Sequence, residues 1–88
     1  MGKLALIVRI TPKEEIDAEA VISKIKDENF GEARLKDIRK EPLAFGIFIV
    51  KAAFLLPEKK EELTEEVVNK LKALDAVEDA EIEGMTLV

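Results

Sequence analysis

The side chains in this sequence best suited to chemistry are its carboxylates, which gather at Glu14-Glu15, Glu61-Glu62, Glu65-Glu66 and from Glu78 to Glu83. Clustered carboxylates can hold Mg2+ or Ca2+, or share a proton as an acid and base pair. A calcium loop, however, must bring its oxygens round one ion, so its acidic residues recur at fixed intervals about a glycine. None of these clusters has that spacing, and most fall on segments patterned to face water. A solvated charged surface is the better reading, and no metal or cofactor site is expected. The chain has no cysteine and no histidine, which removes thiolate nucleophiles, imidazole bases and the common zinc ligand sets. Its four glycines form neither a Gly-x-x-x-x-Gly-Lys phosphate loop nor a dinucleotide fingerprint, so the chain itself is not expected to bind nucleotide.

Recognition is better provided for. In Glu41-Pro42-Leu43-Ala44-Phe45-Gly46-Ile47-Phe48-Ile49-Val50 a large aromatic stands on a turn just ahead of a long apolar strand. Gly46 suits a turn or bulge because it tolerates positive φ. The Phe45 ring could fold back and cap the core, or it could project as an interface anchor of the kind that dominates binding energies. Residue types alone leave both open.

The elements that must position this turn follow from periodicity. Leu4, Leu6, Val8 and Ile10 alternate with Ala5, Ile7 and Arg9, which predicts a half-buried strand ending at Thr11-Pro12. Asp17 is a good N-cap, with Ile16 before it and Val21 inside as a hydrophobic staple. Ala18, Val21, Ile22 and Ile25 share one face of a helix running from about Ala18 to Glu28 and stopped near Asn29 to Gly31. Glu32 to Lys40 reads as an edge strand guarded by Arg34, Lys36, Arg39 and Lys40, and Pro42 ends it. Gly46 to Leu56 is apolar at odd and even positions, as a central strand would be. After a charged loop from Glu58 to Glu62, Leu63 and Thr64 repeat the staple and cap, and Val67, Val68, Leu71 and Leu74 form a second helical stripe. Val77 to Leu87 supplies the last strand.

The order strand, helix, strand, strand, helix, strand predicts an α+β, ferredoxin-like βαββαβ sandwich. Right-handed crossovers then put strands one and three at the centre of a four-stranded antiparallel sheet, with both helices on one face. The Phe45 turn falls at one end of the sheet and both termini at the other.

With 88 residues, 48% of them hydrophobic, the chain makes one small domain over residues 1–88, without room for a deep enclosed active site. Fourteen basic against 19 acidic residues give a formal charge of −5, which argues against a protein that neutralises duplex phosphates. A protein partner with a basic surface fits better. The apolar run from Ala44 to Leu56 is broken by Gly46 and Lys51 and falls short of the roughly 20 residues that span a bilayer. The N-terminus carries neither a secretory h-region nor a myristoylation signal, so a soluble cytoplasmic protein is expected.

The Pro42-x-x-Phe45-Gly46-Ile47 turn resembles the hairpin of the translation elongation factor 1-beta family, exchange factors for the GTPase elongation factor 1-alpha. The segment Leu74-Asp75-Ala76-Val77-Glu78-Asp79-Ala80-Glu81-Ile82 is similar to the archaeal branch, and the likeness covers nearly the whole chain. The resemblance implies guanine nucleotide exchange without covalent chemistry, on elongation factor 1-alpha as partner, with no direct nucleic acid or membrane contact and a monomer favoured. It places Pro42, Phe45 and Gly46 at one contact and the tail Met85, Thr86, Leu87 and Val88 at another. Eukaryotic relatives carry a penultimate lysine thought to intrude on the Mg2+ site of the GTPase. Leu87 stands there in this chain, so the tail keeps a steric or positioning role only. The alternative is a ferredoxin-like regulatory or assembly module that dimerises or binds a small ligand on its open sheet face, using Ile7, Ile47 and Ile49. An enzyme such as acylphosphatase shares the fold, but its arginine and asparagine loop signature is missing.

Overall fold

Leu4, Leu6, Val8 and Ile10 are all buried while their neighbours are only half covered, so the first strand has one face in the core, as its period of two requires. A computed structural model describes residues 2–60 and 62–88. Its elements run β1 (Lys3–Pro12), α1 (Ala18–Asp27), β2 (Arg34–Pro42), β3 (Phe48–Pro57), α2 (Glu62–Lys72) and β4 (Val77–Leu87). The sheet order is β2-β3-β1-β4 and every pairing is antiparallel, which is the ferredoxin-like α+β arrangement with β1 and β3 at the centre.

Alternate residues of β1 and β3 meet the inward stripes of both helices. Leu6, Val8, Ile10, Val50, Phe54 and Leu56 join Val21 and Ile25 of α1 and Val67 and Leu71 of α2 in one hydrophobic core. Ile22 and Leu74, on the predicted stripes, are partly buried against it. Phe54 is fully buried and meets Phe30 edge to face, with ring centroids 4.9 Å apart. Asp17 caps α1 as its side chain accepts from the Glu19 N–H at 3.1 Å. Beyond Asp27 the chain turns at Gly31, where φ is 65° and the N–H donates to Asn29 Oδ1 at 2.8 Å. Lys70 of α2 fastens that turn by bonding the Asn29 carbonyl and lying over the Phe30 ring.

Three boundaries differ from the sequence expectation. β2 is displaced two residues toward the C-terminus because Glu41 and Pro42 still pair with Ile49 and Phe48. β3 begins at Phe48 because Gly46 and Ile47 are used by the turn. Thr64 is not the cap of α2, which already includes Glu62; Thr64 is buried in the first turn, on the same inward stripe as Val67, Val68 and Leu71. Glu61 of the expected acidic pair lies outside the described residues.

Candidate partner-binding site

The β2–β3 connection is a tight turn with Phe45 and Gly46 at its centre. Ile47 N–H donates to the Ala44 carbonyl at 3.3 Å, and Leu43 N–H to the Ile47 carbonyl at 2.7 Å. Both central residues have positive φ, 61° at Phe45 and 73° at Gly46. Two positive angles in succession match the twist of a hairpin, and for that reason such positions favour Asn-Gly. Gly46 fits without cost, since space around it is open and only the backbone angle selects glycine. Phe45 does not fit: a bulky residue in the left-handed region is strained by about 1–3 kcal/mol. The ring recovers nothing from the core, because the residue is 98% exposed.

Around it Leu43, Ile47 and Phe48 are also exposed, so that end of the sheet presents an apolar cluster rather than a single ring. The base of the hairpin is braced. Lys40 Nζ sits 4.9 Å from the centroid of the Phe48 ring and 3.4 Å from Glu19 Oε1 on α1. Pro42, the last residue of β2, pairs with Phe48. Ile16, next to the Asp17 cap, is 38% exposed and lines the groove beside the hairpin.

The other end of the sheet carries the tail. Met85, Leu87 and Val88 are exposed at 54, 62 and 68%, and Thr86 is exposed with them. The tail is nonetheless firmly held, as β4 pairs with β1 out to Leu87 opposite Leu4, and Val88 exchanges backbone hydrogen bonds with Lys3 at 2.9 and 3.3 Å. The β1–β3 register puts Lys3 opposite Pro57 and Ile10 opposite Val50, which leaves the Phe45 turn and the tail at opposite ends of a molecule 42 Å long. The structure therefore does not bring the two sets of predicted residues together.

The face of the sheet away from the helices is not the apolar surface that Ile7, Ile47 and Ile49 suggested. Ile47 belongs to the turn, Ile49 is already buried at 2%, and Ile7 is half-buried. Across its middle run Arg39, Lys51, Arg9 and Glu81 in register on four adjacent strands. Like charges opposite one another are unfavourable, and two carboxylates offset them: Lys51 Nζ is 2.9 Å from Glu83 Oε1 and 3.3 Å from Glu41 Oε1. Hydrogen bonds that the Lys51 ammonium donates to Glu83 and then Glu41 raise its pKa above the ordinary 10.5. Among the described residues no three carboxylates converge as metal ligands would, and no helix is long and apolar enough to cross a membrane.

The arrangement offers two separated apolar ends and no converging reactive groups among the described residues, which suits binding to a macromolecule. Comparison with known proteins gives the same direction. The chain is 40% identical to elongation factor 1-beta of Methanospirillum hungatei over 89 aligned positions, covering all of both chains. It is 36% identical to the Methanoculleus marisnigri protein of that name and 26% identical to that of Archaeoglobus fulgidus, again over all of both chains. Among solved structures, the C-terminal domain of the MgtC protein from Mycobacterium tuberculosis is similar with a TM-score of 0.52 and 19% identity, over all of this chain and 88% of that one, a likeness of fold alone. The match to the EF-1 guanine nucleotide exchange domain extends over residues 5–88, and the chain belongs to that family.

Proposed function

We infer that residues 1–88 act as a single exchange domain that binds elongation factor 1-alpha and promotes replacement of GDP by GTP during translation elongation. An exchange factor forms no covalent bond; it binds the nucleotide-free GTPase more tightly than the nucleotide-bound one, and by linkage loosens the nucleotide. This reading needs a rigid domain with anchors and no catalytic side chains. The observation that carries it is Phe45, strained at φ 61° and 98% exposed, since strain without any internal contact to offset it points to a partner. Phe45, with Pro42 and Gly46 shaping its turn, would anchor one domain of the GTPase, while Met85, Thr86, Leu87 and Val88 would reach its nucleotide domain. With Leu87 in the penultimate place, the tail would act by position and shape rather than by a cation displacing Mg2+. The protein would work as a cytoplasmic monomer, without direct contact to nucleic acid or membrane.

The test is release of fluorescent GDP from elongation factor 1-alpha on mixing with this protein. Acceleration that saturates with factor concentration is expected. An unchanged release rate at saturating factor would sink the reading.

A further inference from the structure

Among the described residues two non-glycine positions have positive φ, Glu15 at 71° and Phe45 at 61°. They lie on the loops that form the two sides of one groove. The groove holds about 590 Å3 and is lined by the end of β1, the β1–α1 loop and the first residue of α1 (residues 11–18), by Gly46, Ile47 and Phe48 from the hairpin, and by Glu78 of β4. Inside it Ile16, Ile47 and Phe48 contribute partly exposed apolar surface, at 38, 56 and 39%. Its charges are unbalanced: Glu14, Glu15, Asp17 and Glu78 line it against Lys13 alone. Glu15 takes its angle in a tight turn closed by the Ile16 N–H donating to the Lys13 carbonyl at 3.0 Å, as Phe45 does in the hairpin turn, and both side chains are exposed.

We propose that the β1–α1 loop is the second jaw of a clamp whose first jaw is the Phe45 hairpin, and that the groove between them receives an apolar side chain of the GTPase flanked by a lysine or arginine. The inference rests on the exchange-factor reading. Apolar walls give burial to the inserted side chain, and the excess carboxylates favour a basic neighbour over an acidic one. Both loops are tight turns fixed by backbone hydrogen bonds, Ile16 N–H to the Lys13 carbonyl and Leu43 N–H to the Ile47 carbonyl, so the walls of the groove are set before anything enters it. Ile16 is then a contact residue, and Glu14 sets the charge preference.

The experiment is the same GDP release assay, run as a function of factor concentration for wild type, Ile16→Ser, Glu14→Lys and Phe45→Ala, with melting curves for each. Ile16→Ser should raise the concentration needed for half-maximal exchange about tenfold, as for a moderate interface anchor, and leave the maximal rate unchanged. Glu14→Lys should raise it as well and should flatten the salt dependence of that concentration, since the groove keeps only a small excess of carboxylates and less attraction is left for added salt to screen. Combined with Phe45→Ala, Ile16→Ser should be non-additive, because both touch one inserted segment. A wild-type concentration dependence for either folded variant overturns the clamp, and if Ile16→Ser proves unfolded Glu14→Lys decides alone. If Phe45→Ala still weakens exchange in that event, the exchange reading stands and only the second jaw is lost. Failure of the wild-type protein to release GDP would instead remove the reading beneath it.

Discussion

On the proposed reading Phe45 gives up stability for recognition, and the two can be separated at that position. Phe45→Ala leaves the backbone angle strained but removes the ring, so it should keep the fold and weaken binding to elongation factor 1-alpha by about 2 kcal/mol, read as a shift in half-maximal concentration. Phe45→Gly removes both. It should match or exceed the wild-type melting temperature, with strain relief of about 1 kcal/mol or more set against the entropy of an added glycine, and still bind as poorly as the alanine variant. A fall in melting temperature for both variants would mean that the ring packs in the core after all. Lys51 supplies a second residue-scale test with a definite sign. Its pKa is raised by Glu83 and Glu41, so its contribution is fully present below the ordinary value of 10.5 and is lost as pH rises through the higher folded-state value. Lys51→Met should therefore lower the melting temperature at neutral pH, and the gap to wild type should close in strongly alkaline solution. A gap that persists there would assign the effect to packing of the lysine stem.

At the scale of elements, the sheet and helices were legible because each element's burial repeats with its own period. Leu4 to Ile10 and the stripe from Ala18 to Ile25 mark their core faces without knowledge of anything distant. What stayed hidden depends on neighbours that come from elsewhere in the chain. Thr64 looks like a cap locally, yet it is buried in the first turn of a helix that begins earlier. Ile16 looks like a staple, and nothing local in the sequence shows that it also lines a groove with Ile47 and Phe48 of the hairpin. The left-handed angle of Phe45 has no signature in a phenylalanine, only the hint of the glycine that follows. The ion pairs of Lys51 join β3 to β2 on one side and to β4, beyond β1, on the other, so no local pattern could show them. The elements do meet in one place that can be tested: Phe54 of β3 is fully buried against Phe30 of the α1–β2 turn. Phe54→Ala should cost about 3–5 kcal/mol, a large share of the stability of so small a domain, and denaturant titration should show the midpoint falling accordingly. A loss below about 1 kcal/mol would mean that the core collapses readily into the space left.

At the scale of the whole molecule, the antiparallel register separates the two candidate contacts by the length of the central strands, about 30 Å for ten residues, within a body 42 Å long. A GTPase that engages both ends therefore meets them on well-separated surfaces, as two different domains would present. Removing the tail outright is a poor probe, because Thr86 pairs with Ala5 and Val88 bonds Lys3, and the loss would fray β1. Met85→Ala with Leu87→Ala keeps the ladder and removes only the exposed side chains. Combined with Phe45→Ala, this pair should have nearly additive effects on binding, as sites far more than about 10 Å apart with no shared contacts do. The kinetic effects should differ in kind. Phe45→Ala should raise the factor concentration needed for half-maximal exchange, whereas the tail pair should depress the maximal rate, because the tail is the end proposed to reach the nucleotide domain. If the tail pair leaves the maximal rate intact, exchange must be driven from the Phe45 end, and the leucine at position 87 would mark a mechanism in which the tail has no part in releasing nucleotide.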